Sequence, residues 1–278
     1  MKILDFNGFV NEKMKIVPLS DEDFRNISDD VSYNYCPKTK EELKSIIRER
    51  MDKKGDKCDL NDIDVSKITD MSNLFAKYYS DGLLIKNNIS EFNGDISKWN
   101  VSNVTDMSLM FGNAEYFNGD ISKWNVSKVR NMYGMFVAAY SFNCNISQWD
   151  VSNVENMYGM FSGATSFNKN LSNWNVSNVE DMSGMFLNAK QFNGDISKWN
   201  VSKVETMNDM FYMADSFNCD ISGWNVSNVT NMNRMFYYAG SFNRDLSGWN
   251  MSNVEKHDYM FDYCPLENQP EKQPKFNK

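Results

Sequence analysis

The chain has 278 residues, 41% of them hydrophobic and 24% charged, with a net charge of −8 and a pI near 4.8. That length is ample for a packed core, while the acidic balance opposes phosphate backbones and anionic bilayers, so neither nucleic-acid nor membrane-surface binding is expected. A single histidine leaves little room for acid–base catalysis or metal ligation, and the expectation is a protein that is not an enzyme and takes no cofactor and no metal.

The five cysteines, Cys36, Cys58, Cys144, Cys219 and Cys264, show no C-x-x-C spacing, and a disulfide scaffold is not expected. The opening MKILDFNGFVNEKMKIV has no apolar core, so no signal peptide is read there and a cytoplasmic location is expected. No apolar run is long enough to span a bilayer.

Residues 1–58 are expected to form an N-terminal cap region. Ser20 reads as the N-cap of a short helix over 20–27, and 31–36 as an extended segment. A stronger helix is predicted over 39–54. Thr39 and Glu42 make a capping box, Leu43, Ile46, Ile47 and Met51 share one face, and Gly55 stops it. Such a helix would cover the exposed first edge of a stacked array.

The array is expected over 59–264. Tryptophan recurs every 25 residues, at Trp99, Trp124, Trp149, Trp174, Trp199, Trp224 and Trp249, which is the signature of a solenoid. A degenerate first copy covers 59–75. Eleven extra residues follow within 76–91, carrying Tyr78, Tyr79, Leu83, Leu84 and Ile85, either as a binding loop or as a packing irregularity. Seven regular copies start at Phe92, here position 1.

Apolar residues occupy positions 1, 5, 8, 10, 13, 16, 19, 20 and 23. Val104, Met107, Met110, Phe111 and Ala114 step at helical spacing, and pairs such as Ser152/Glu155, Ser177/Glu180, Ser202/Glu205 and Ser252/Glu255 resemble capping boxes, which predicts a helix over positions 12–23. The Ile and Trp at positions 5 and 8 predict a short strand, although their spacing cannot place both inward on a regular one. The fold class expected is therefore α/β: a right-handed solenoid with one short parallel strand and one short helix per repeat, capped by the N-terminal helix. Asn at positions 2 and 9 is expected to form ladders up the stack. The polar, proline-containing residues 265–278 are expected to be a disordered tail.

At WNVSNVTDMSxMFxxAxxFNxDIS the repeat resembles the BspA-like leucine-rich-repeat surface proteins, in the 25–26-residue subgroup of the Listeria and mycoplasma type. The resemblance covers 59–264. It implies a leucine-rich-repeat-like solenoid, used for protein binding or adhesion at a cell surface, with no shared catalytic residues.

No P-loop, G-x-G-x-x-G, H-E-x-x-H or G-x-S-x-G occurs. Acids recur at position 4 (Asp95, Asp120, Asp195, Asp220, Asp245), with Asn145 and Asn170 in the remaining copies, and read as a row of hydrogen-bonded carboxylates before they read as catalytic or Ca²⁺-binding. Recognition is expected at positions the stack does not dictate. These are position 17, with Tyr133 and Tyr158, and positions 21 and 22, with Leu187, Tyr212, Met213, Tyr237 and Tyr238. The function expected is a monomeric, non-enzymatic scaffold for a protein partner. A surface adhesin or structural protein and a glycan-binding solenoid are the alternatives.

Overall fold

The computed structural model describes residues 33–77, 79–80, 83–84 and 88–276. The expected helix over 20–27, the start of the extended segment over 31–36, and Tyr78 and Ile85 of the insertion lie outside these residues. The described repeats, the helix before them and the tail after them belong to one compact unit, Tyr33–Lys278.

Helix α1 runs Lys40–Lys54. Thr39 caps it, its side chain accepting from the Glu42 N–H at 3.1 Å. Glu42 returns a bond to the N–H of Lys38, at 2.7 Å, one residue before the position a capping box would use. Gly55, at φ 82, donates to the Met51 carbonyl and ends the helix. Leu43, Ile47 and Met51 are buried and belong to the same core as the repeats. Polar contacts fix α1 on the first coil: Arg50 reaches Asp62 at 2.7 Å and the Asp59 carbonyl at 3.0 Å, and Lys40 reaches Asp70 at 2.6 Å.

The repeats are a solenoid, but not of the expected kind. Among the described residues no repeat contains an α-helix, and the strand is a single residue. Parallel bridges link position 15 of successive coils, from Asp70 through Asp106, Asn131, Asn156, Asp181, Thr206 and Asn231 to Lys256. This places the sheet-like contact in the half expected to be helical.

Each coil is a string of tight turns. In the coil from Phe142, i→i+3 bonds close at 146–149, 151–154, 157–160, 159–162, 161–164 and 164–167. A turn brings its first and fourth residues within about 7 Å, so paired apolar residues at that step can both point inward. The inward pairs are positions 5 and 8, 10 and 13, 16 and 19, 20 and 23, then 23 and the next position 1. These are the apolar positions of the repeat, and all are buried in the regular central coils. The three-residue step of a turn chain thus reproduces the step that reads as a helix.

The capping-box serines have a different partner. Asn or Asp at position 9 accepts from the Ser N–H two residues on, as Asp150 does from Ser152 at 3.1 Å. This is an Asx-turn. Position 2 does form a ladder, each Asn side chain accepting from the backbone N–H of the next Asn, as Asn118 does from Asn143 at 2.8 Å. Position 9 does not.

Tryptophan ties one coil to the last. Each indole N–H donates to the position 5 carbonyl of the preceding coil at 2.9–3.2 Å, as Trp174 does to Ile146. Within a coil the position 20 ring stacks on the following position 1 ring, as Phe136 does on Phe142 at 3.8 Å. Between coils Phe136 stacks on Phe161 at 5.6 Å. Each buried large side chain contributes roughly 1.5–3 kcal/mol over exposure, and does so only with a neighbouring coil present.

The insertion leaves the stack as an antiparallel pair, β1 (Tyr79–Ser80) and β2 (Leu83–Leu84), and returns through a 3-10 turn at Asn88–Glu91. The tail departs from expectation. Residues Pro265–Asn268 and Pro270–Lys272 form 3-10 turns, Leu266 is fully buried, and Phe276 stacks on His257 at 4.1 Å. Lys272 offers its carbonyl to the Leu246 N–H at 2.8 Å and its ammonium to Asn243 at 2.8 Å. These atoms occupy the roles a following coil would fill. The tail is a C-terminal cap because a short segment with two apolar anchors can imitate part of a coil.

Two tests follow from this packing. Trp174→Phe removes the indole donor and orphans the buried Ile146 carbonyl, and should cost about 2–4 kcal/mol in urea unfolding followed by circular dichroism; a midpoint equal to the parent's would show that the bond contributes nothing. Deleting 265–278 should speed amide exchange at Leu246 and Trp249 while leaving Trp124 protected, whereas uniform acceleration would contradict a local cap.

Candidate functional site

The outward residues of positions 17, 18, 21 and 22 lie along the bridged side of each coil. Positions 18 and 22 are left-handed throughout. At position 18, φ is 53 at Leu109, 54–59 at Gly134, Gly159 and Gly184, 58 at Asp209, 54 at Arg234 and 56 at Tyr259. At position 22 the residues are Asn113, Ala138, Gly163, Asn188, Met213, Tyr238 and Tyr263, with φ between 52 and 71. Glycine and asparagine take this conformation readily, and they dominate the first coils. The last three coils instead place Asp, Arg, Tyr and Met there, where a bulky residue is an outlier costing on the order of 1–3 kcal/mol.

These strained positions, with position 21 beside them, carry an aromatic cluster. Tyr212 and Tyr237 stack at 5.2 Å. Tyr238 meets Tyr237 edge-on at 4.8 Å and stacks on Tyr263 at 4.3 Å. Tyr263 and Tyr259 meet Tyr237 edge-on at 5.5 and 6.4 Å. Tyr259 and Tyr263 are 63% and 57% exposed, the largest exposures in the cluster. Burial, then the neighbouring phenols and Asp262, push the Tyr237 pKa up. Arg234 pairs with Asp209 at 2.8 Å and lies 5.9 Å over the Tyr212 ring.

Of the expected residues, the structure brings Tyr212, Tyr237 and Tyr238 together, with Met213 exposed on the same row and Leu187 half-buried one coil before. Tyr133 and Tyr158 form a separate exposed pair, stacked at 5.2 Å, each N–H held by the position 15 Asn two residues earlier. Sequence reasoning missed Tyr259, Tyr263 and Arg234. Tyr259 and Tyr263 fall in the last coil, where the pattern weakens. The available signal was position 18 and 22 occupancy, since residues replacing Gly or Asn at such sites stand out.

The position 4 carboxylates are occupied. Each accepts from the serine two residues on, as Asp195 does from the Ser197 N–H at 2.9 Å and hydroxyl at 2.7 Å. These bonds hold the pKa of Asp195 and Asp220 below the usual carboxylate range, chiefly through the serine N–H, and those of Asp120 and Asp245 chiefly through the serine hydroxyl. Cys144 and Cys219 sit beside Asp120 and Asp195 at 3.7 Å, and burial pushes both thiols up. All five cysteines are free, and among the described residues no cluster of three His, Cys, Asp or Glu could hold a metal. Among the same residues no helix is long and apolar enough to cross a membrane.

The fold and surface define a repeat protein built from turns, with an interior pattern that recurs from coil to coil and variation concentrated on its outward rows. The chain belongs to the family described as "Mycoplasma protein of unknown function, DUF285", whose model matches residues 43–174 and 169–273. No curated protein matches the chain. Among solved structures it is similar to "Crystal structure of TLR13-ssRNA13 complex", at 9% identity and a TM-score of 0.19, over 80% of this chain and 47% of that one. The chain therefore spans about half the length of that protein, and a similarity so slight carries no argument.

The depressed carboxylates set an acid limit. A lowered folded pKa stabilises the fold above the unfolded value, about 3.9 for Asp, and that stability is lost as pH falls through the folded value. Replacing Asp120, Asp195, Asp220 and Asp245 by Asn keeps the turn, as Asn145 and Asn170 already do at 3.2 and 2.8 Å. The fourfold variant should lose less of its urea stability than the parent between pH 5 and pH 3; parallel acid profiles would refute the assignment.

Proposed function

We propose that the chain is a monomeric, non-enzymatic repeat scaffold that binds a protein partner through the outward tyrosine rows of its last three coils. One observation carries this reading. Met213, Tyr238, Tyr259 and Tyr263 occupy left-handed positions that six of the eight earlier instances in the regular coils give to Gly or Asn (Leu109 and Ala138 are the other two), so this surface spends stability on large exposed side chains, three of them aromatic. Large exposed aromatics rimmed by polar groups mark interaction sites, and Tyr and Arg dominate interface energetics. The position 4 acids already serve turns, which argues against a glycan-cleaving or Ca²⁺-binding use of that row.

The resemblance to BspA-like leucine-rich-repeat proteins supports an adhesive variant of the same reading, with the partner on another cell or surface. Fractionation separates the two, because a protein confined to the cytosol cannot act as an adhesin.

A photo-crosslinking residue at Tyr238 should capture a protein, while the same residue at Lys123, on the position 7 row, should not. The variant Tyr212→Ser/Tyr237→Ser/Tyr238→Ser should lose capture with an unfolding free energy no lower than the parent's by more than about 1 kcal/mol. Undiminished capture by that variant would remove the proposed surface.

A further inference from the structure

In every coil before the last, the backbone N–H groups of positions 16, 18, 20 and 22 donate to carbonyls of positions 15, 17, 19 and 21 in the next coil. The final such set runs from Met232, Arg234, Phe236 and Tyr238 to Lys256, Asp258, Met260 and Asp262, at 2.7–3.1 Å. In the last coil the cap replaces only one acceptor, the Glu267 carboxylate taking the Tyr263 N–H at 2.9 Å. The N–H groups of His257, Tyr259 and Phe261 have no partner among the described residues. Over positions 16–20 they form an open run of donors, of the kind that accepts an added strand.

The side chains on this edge have a definite chemistry. Asp258 and Asp262 alternate with the exposed rings of Tyr259 and Tyr263. One coil back, the molecule shows what such a pairing holds. Arg234 gives Nε and Nη2 to the two Asp209 oxygens, at 2.8 and 3.0 Å, with its guanidinium over a tyrosine ring. Carboxylate pairing and ring stacking together favour a guanidinium or ammonium group.

We propose that this edge captures an extended, basic peptide segment of a partner protein. The segment lies across the last coil as the next rung. Its carbonyls accept from Tyr259, Phe261 and His257, and its Arg or Lys side chains stack on Tyr259 and Tyr263 and pair with Asp258 and Asp262. The assignment rests on the protein-binding reading above and names the partner's chemistry.

A second copy of the chain does not fit. Over positions 16–20 its own C-terminal edge offers donors to donors. Its N-terminal coil is overlaid by α1, through the Lys40 contact to Asp70 and the Arg50 contacts to Asp59 and Asp62. A helix is about 10 Å across, twice the rung spacing of about 4.8 Å, so where α1 lies a second copy is held beyond bonding distance. A peptide one strand thick can.

The probes are N-acetylated, C-amidated octapeptides alternating Arg with Val, and the same peptide with Glu for Arg, added to the full chain. The Arg peptide should slow amide exchange at Tyr259 and Phe261, and its affinity should fall as salt rises. The double variant Asp258→Asn/Asp262→Asn should bind it about tenfold more weakly, and the Glu peptide should leave the amides unchanged. The proposal is overturned if the Arg peptide fails to bind at about 1 mM, binds without protecting those amides, or binds the double variant equally well. If the native partner still depends on Tyr212, Tyr237 and Tyr238 while these amides stay unprotected, the protein-binding reading stands and the edge assignment falls.

Discussion

The bond from each indole to the coil before it sets the register of the whole stack. A buried Trp N–H must find an acceptor or cost about 1–3 kcal/mol, and the position 5 carbonyl of the preceding coil is the acceptor used seven times. The two partners are 28 residues apart in six cases and 39 apart for Trp99 and Leu60. The difference is the eleven-residue insertion, which leaves the stack as a hairpin so that the bond can survive. Coil length is thus fixed by hydrogen bonding, and chain that does not fit is expelled. The Phe and Trp rings, stacked at a constant step from coil to coil, have the same requirement.

Because the interior is so tightly specified, variation collects where side chains point out. The left-handed positions sharpen this separation. Gly134, Gly159 and Gly184 satisfy the backbone at little cost, so the central coils show what stability alone asks for. The last three coils depart from it in a coordinated way, putting Arg234 over Tyr212 and three further tyrosines around Tyr237. A local rule broken repeatedly on one side of the stack is the pattern expected of a functional surface.

The repeat, its inward positions and the helix at Lys40–Lys54 could be read from the sequence because each rests on periodicity or on cap chemistry. The interior of the repeat was misread because apolar residues three apart satisfy a helix and a chain of turns alike. Gly and Asn at positions 18 and 22 were the discriminating residues, since a helix interior disfavours glycine by about 1 kcal/mol and a turn chain requires a left-handed residue there. The candidate surface was half legible. Tyr212, Tyr237 and Tyr238 stand out against their row, whereas Tyr259 and Tyr263 sit in a coil whose pattern is already failing. The tail was illegible for a compositional reason. Its prolines and polar residues read as disorder, and only Leu266 and Phe276 reveal that it has a core to cover.

The two ends of the stack are closed by different physics. At the N-terminal end a helix lays an apolar stripe across the first coil, with Arg50 and Lys40 tying it down. At the C-terminal end the cap imitates the next coil, with the Lys272 carbonyl, the Lys272 ammonium and the Glu267 carboxylate each standing for a missing group. A segment of some dozen residues cannot imitate all 25 positions of a coil, and it closes the side nearest Leu246 while leaving the bridged side short of acceptors. An exposed ladder edge invites indiscriminate pairing unless charge guards it. Lys256, Asp258 and Asp262 alternate along this edge, which repels flat apolar strands and copies of the same acidic chain. What remains admissible is a segment whose own charges answer those carboxylates, so the groups that prevent aggregation at this end also make it selective.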